Sequence, residues 1–133
     1  MLKDFYRITI YVPILQNRPF LGASLEKMAE TSPLIKQLIQ MLDDNSVVGR
    51  VGQYAGVYEI GLGLEGYLPV SNAQPILGEV GVRTRLRTIS FKTYVITGST
   101  RNTIDQFVTD VVKIHPWEHP MIEISDVKLW IPD

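Results

Sequence analysis

GRVGQYAGVYEIGLGLEGYLPVSNAQPILGEVG, running from Gly49 to Gly81, decides how the rest of this chain is read. Eight of the ten glycines lie in it, at Gly49, Gly52, Gly56, Gly61, Gly63, Gly66, Gly78 and Gly81, so they form one cluster rather than scattered breaks. Between them stand strand formers: Tyr54, Val57, Tyr58, Ile60, Leu62, Leu64, Tyr67 and Val70. A flexible linker lacks aromatic and branched residues. The mixture predicts two short strands, about Gln53–Gly61 and Leu64–Val70, bent where glycine tolerates positive φ. A structured loop from Ser71 to Gly81 follows, with Asn72, Pro75 and Gly78 as its turn residues.

On the N-terminal side, Phe5 to Val12 alternates. Tyr6, Ile8, Ile10 and Val12 share one face; Phe5, Arg7, Thr9 and Tyr11 share the other, as a strand requires. Ile14 to Gly22 carries Asn17 and Pro19 and reads as a loop. Ser24 can cap a short helix through Glu30. Ser32-Pro33 is a stronger start, an N-cap followed by proline at the first helical position. Ile35, Leu38, Ile39 and Leu42 then recur at helical spacing up to about Asp43.

On the C-terminal side, a long strand spans about Arg85 to Ile96, and Gly98-Ser99 breaks it. Asn102, with Asp105 three residues on, reads as an N-cap. Ile104, Phe107, Val108, Val111 and Val112 give an amphipathic helix, stopped by Pro116. The last strand is about Met121 to Trp130.

The chain of 133 residues, with 45% apolar and 20% charged residues, is read as a single domain, 1–133. A net charge of −1 leaves no basic footprint for nucleic acid. Asp4 and Arg7 interrupt the first apolar run, so it is neither a signal peptide nor a membrane span. The absence of cysteine removes disulfide and thiolate chemistry and fits a cytoplasmic location. The element order β-α-β-β-β-α-β predicts an α+β, ferredoxin-like (split βαβ) fold, an antiparallel sheet with two main helices on one face.

Two motifs resemble a known superfamily. Val112 to Pro120, with His115-Pro116-Trp117-Glu118 at its centre, looks like the helix-to-strand junction of CutA-like proteins, where tyrosine usually stands in place of Trp117. The opening stretch is similar to the CutA/PII-like domain inserted into the dinuclear-metal-centre hexameric proteins of the NGG-interacting-factor-three family. The matching positions are Gly49, Gly52 and Tyr54, then Gly61 and Gly63 as a hairpin. Tyr67 and Pro69, Asn72 and Pro75, and Gly78 and Gly81 complete the pattern. The resemblance implies a PII/CutA-like fold, a homotrimer, and a non-enzymatic binding or regulatory role with a small-molecule ligand. It carries over no metal site, because the dinuclear ligands of that family lie in its surrounding domain. Residues 14–31 look like an insertion relative to the family, and Arg83, Arg85 and Arg87 stand where the family strand is usually acidic.

Three constellations have bland readings beside sharp ones. His115-x-x-Glu118-His119 has the letters of a zinc-helix motif, which would make a divalent-metal-binding or metal-tolerance protein. Pro116 and Pro120 keep the two imidazoles off one helical face, so a structural turn is preferred. Arg83, Arg85 and Arg87 alternate along a strand and can hold a phosphate or carboxylate. Their bland reading is solvation, or pairing with Glu59, Glu65 or Glu79. Gly61-x-Gly63-x-x-Gly66 opens no helix, so it is no dinucleotide fingerprint. No nucleophile elbow is present, no catalytic residue is assigned, and no cofactor is required. Tyr54, Tyr58 and Tyr67 are either subunit-interface aromatics or sheet-face packing. The preferred ligand is therefore a small anion or metabolite, with divalent metal as the alternative.

Overall fold

The computed structural model describes residues 1–14, 24–98 and 101–132. Most of the loop expected between Ile14 and Gly22, and with it part of the 14–31 insertion, lies outside the described residues. Among the described residues four strands and three helices follow one another: β1 (Leu2–Pro13), α1 (Leu25–Thr31), α2 (Pro33–Asp43), β2 (Tyr58–Tyr67), β3 (Thr84–Ile96), α3 (Arg101–Ile114) and β4 (Ile122–Trp130). The sheet order is β2-β3-β1-β4, and every neighbouring pair is antiparallel.

Alternation in β1 sets the two faces. Ile8, Ile10 and Val12 stand opposite Thr93, Phe91 and Ile89 of β3. All six are buried. Both main helices pack on this face. The stripe Leu34, Ile35, Leu38 and Leu42 of α2, and Ile104, Phe107 and Val111 of α3, join the same core. Burying such a side chain is worth about 1.5–3 kcal/mol, which is what holds helices this short. Caps fix where α1 and α2 begin. The Ser24 Oγ accepts from Lys27 N–H at 3.2 Å, and the Ser32 Oγ accepts from Ile35 N–H at 3.3 Å.

Two expectations change. First, the two short strands are one continuous strand, β2, paired with β3 over its whole length. Gly61 and Gly63 are not a hairpin. They lie opposite Ser90 and Thr88, whose side chains occupy the space a Cβ would need. A Cβ at Gly63 would sit 2.8 Å from Thr88 Oγ1, and one at Gly61 3.1 Å from Ser90 Oγ. Close cross-strand approach, not bending, is the reason for glycine here. The turn residues lie in the following loop, where Gly78 has φ +97° and a Cβ would sit 2.6 Å from Thr84 Oγ1. Second, α3 already includes Arg101, so Asn102 lies inside it and is not its cap. A cap is worth only about 1 kcal/mol. The buried side chains of Ile104, Phe107 and Val111 outweigh it in placing the helix.

β2 is an edge strand, and Leu62 and Leu64 on its helix-side face are more than half exposed. Among the described residues no helix is long and apolar enough to cross a membrane.

Candidate functional site

The end of α3 and the loop between β2 and β3 meet at one end of the sheet. His115 N–H closes the last helical turn on Val111 C=O at 2.9 Å, and Pro116 prevents another. The buried His115 ring turns back to β1. Its Nε2 lies 2.7 Å from the Tyr11 carbonyl, and its Nδ1 accepts the Trp117 N–H at 3.1 Å. A carbonyl can only accept and an amide N–H can only donate, so the ring is neutral with its proton on Nε2. Burial pushes its pKa below the ordinary histidine value, against the smaller upward pull of the Tyr11 carbonyl.

The rest of the turn holds the loop. Glu118 Oε2 accepts the Gln74 N–H at 2.7 Å, and its Oε1 lies 3.3 Å from the exposed His119 Nε2. Tyr67 and Trp117 meet edge to face, with centroids 5.0 Å apart, and the Tyr67 hydroxyl donates to the Leu77 carbonyl. Gly81 N–H closes the loop on Pro69 C=O at 2.8 Å. These ties leave an apolar cleft of about 200 Å³ between Tyr67, Pro75, Ile76, Leu77 and Trp117. Trp117 is half-buried, and its indole Nε1 is buried with no partner among the described residues.

This geometry bears on the metal reading. A histidine ligates through a ring lone pair. The one lone pair of His115 is taken by Trp117 N–H, and Glu118 braces the loop. His115, Glu118 and His119 therefore do not converge as a ligand set, and no group of three or more acidic, histidine or cysteine residues elsewhere among the described residues is placed to hold a metal.

Arg85 and Arg87 share the helix-side face of β3 with Ile89, beyond the reach of the core, and Arg83 stands just before the strand. All three are exposed, and none forms an ion pair among the described residues. Of the carboxylates expected to neutralise them, Glu79 forms no ion pair among the described residues, and the other two are placed elsewhere. Glu59 pairs with Lys92 at 3.9 Å, and Glu65 stands opposite Leu86, on the other face from Arg85 and Arg87. The three tyrosines divide. Tyr58 stacks on Phe91 at 5.1 Å, Tyr67 packs on Trp117, and Tyr54 is 76% exposed.

Two residues that the sequence did not single out as site residues also sit here. Glu65 is partly buried, which raises its pKa. The Tyr11 hydroxyl donates to Glu123 at 2.7 Å, and that bond raises the phenol pKa. No sequence signal marks either, because each owes its position to strand pairing.

No family profile matches the chain, and no curated protein matches its sequence. Solved structures do. A Bacillus cereus protein related to NIF3 overlays it with a TM-score of 0.60 at 12% identity, covering 96% of this chain and 26% of that one. The Staphylococcus aureus protein SA1388 overlays it with a TM-score of 0.50 at 11% identity, covering 97% of this chain and 24% of that one. The chain thus spans about a quarter of each protein. It has an α+β, ferredoxin-like fold, as the sequence resemblance implied, and that fold is similar to part of a protein related to NIF3.

Proposed function

We propose that this chain is a non-enzymatic, oligomeric binding or regulatory module of the PII/CutA-like type, acting in the cytoplasm on a small anion or metabolite. One observation carries the reading. Arg83, Arg85 and Arg87 are exposed beside each other and form no ion pair among the described residues, in a chain whose net charge is −1. Residues two apart on a strand are about 7 Å apart, close enough for two guanidiniums to grip one phosphate or carboxylate.

A thermal-shift panel of nucleotides, dicarboxylates and divalent ions tests this. A ligand at a hundredfold excess over its Kd should stabilise the native chain by about 2.7 kcal/mol. Anions should do so, and Arg85→Gln with Arg87→Gln should abolish the shift while leaving the unliganded melting point in place. Stabilisation by divalent ions alone, lost in both His115→Ala and His119→Ala, would replace this reading with metal binding.

The oligomer proposed is a homotrimer. Edge strand β2 and the loop after it expose Leu62, Leu64, Leu68, Val70, Ile76 and Val80, more apolar surface than a solitary domain usually leaves in water. Light scattering should give about 45 kDa, three times the 15.0 kDa chain. A monomer mass held across a wide concentration range would refute it, and a stable dimer would count against it.

A further inference from the structure

We propose that a second, smaller cavity, which shares Tyr67 and Trp117 with the loop cleft, is a site for a methylated ammonium head group. Tyr11, Glu65, Tyr67, His115, Trp117 and Met121 line it together with the exposed His119, which faces Glu118 at 3.3 Å, and its open space is about 110 Å³. Liquid water takes about 30 Å³ per molecule, so the space suits a group of about four heavy atoms. Trimethylammonium has four.

The walls select the charge. Tyr67 and Trp117 meet at an interplanar angle of 73°, so their rings form two sides of a corner. Aromatic faces attract a cation, most strongly where water is excluded. Glu65 supplies the negative charge, and among the described residues it has no ion-pair partner. Its charge is felt by both phenols, since it helps raise the pKa of Tyr11 and of Tyr67. Among the described residues no lysine or arginine lines the cavity. His115 brings no competing charge, because its ring is held neutral between the Tyr11 carbonyl and the Trp117 N–H.

The rings and the hydration of the cation favour methylation. The Tyr11 and Tyr67 hydroxyls give their protons to Glu123 and Leu77 but keep lone pairs, so hydrogen bonding alone does not reject a primary ammonium. A compact ammonium is strongly hydrated and loses that hydration on entering, whereas a head group that carries its charge on methyls packs them against the ring faces and Met121. Glu65 faces the space as an ionised side chain with no ion-pair partner among the described residues. This site lies on the opposite face of the sheet from Arg85 and Arg87, so it stands or falls independently of the anion reading.

The test is a titration of Trp117 fluorescence in the Trp130→Phe protein, which leaves Trp117 as the single indole of the chain's two. Choline and tetramethylammonium are the probes, 3,3-dimethylbutanol is the uncharged isostere of choline, and potassium chloride holds ionic strength constant. Both cations should saturate the signal with a Kd of about 1 mM or tighter. The isostere and methylammonium should each bind at least about tenfold more weakly, the equivalent of one desolvated cation–π contact. Glu65→Gln keeps the shape, removes the charge, and should weaken choline about tenfold with no loss of melting temperature. A trimethyllysine dipeptide run in parallel tells a free metabolite from a modified side chain as the source of the head group. Equal binding of the isostere, no saturation by either cation, or an unchanged Kd in Glu65→Gln would each overturn the proposal.

Discussion

Phe91→Ala should destabilise this protein by about 3–5 kcal/mol, a large share of what a single domain has to lose. Phe91 sits in the middle of β3 with no exposed surface. It is flanked on its face by Ile10 of β1 and Ile60 of β2, and Tyr58 stacks on it at 5.1 Å. Truncation removes the ring from a site where two strands and the helix layer meet, so the surroundings have little freedom to close the cavity. Phe91→Leu should cost much less, because it keeps most of the apolar volume. Urea denaturation of the three proteins checks this. Equal midpoints for wild type and Phe91→Ala would mean the helix layer does not pack on this face.

His115→Ala should also cost more than a typical surface change, about 1–3 kcal/mol for each buried polar group left without a partner. The groups are the Tyr11 carbonyl and the Trp117 N–H. His119→Ala should stay within about 0.5 kcal/mol of wild type, because its side chain is 90% exposed. The pH dependence has a definite sign. The folded state holds His115 neutral and lowers its pKa below the ordinary value of 6.5. Between the two pKa values the unfolded chain binds the proton and the folded chain does not. The stability that comes from this is therefore complete above pH 6.5 and is lost as pH falls through the folded pKa. His115→Ala should flatten that acid limb. A wild-type midpoint that stays level from pH 7.5 down to 5, or a limb that persists in His115→Ala, would contradict the assignment.

The periodic parts of the fold were legible in the sequence. Ile8, Ile10 and Val12 alternate, Ile35, Leu38 and Leu42 recur on one helical face, and Ser32-Pro33 announces a helix, because these signals are local to a few residues of backbone. The antiparallel sheet with both main helices on one face follows from them. The resemblance carried by the glycine stretch and the His115-Pro116-Trp117-Glu118 junction gave the same fold. The meaning of the glycines was not legible. Gly61 and Gly63 looked like bends, and pairing with Ser90 and Thr88 makes them points of close approach instead. Asn102 looked like a cap, and core packing starts the helix before it.

The side-chain chemistry was decided by tertiary structure alone. Letters that spell a zinc motif become a brace. The His115 lone pair meets Trp117, its Nε2 meets a carbonyl 104 positions away, and Glu118 meets an amide 44 positions away. Glu65 and Tyr11 are unremarkable in sequence and share a cavity only because β2 and β1 flank β3. A sequence fixes which residues repeat along a strand or helix, since that depends on backbone geometry common to all chains. Which lone pair is taken and which carboxylate stays unpaired depends on neighbours brought together from far along the chain, and packing alone selects them.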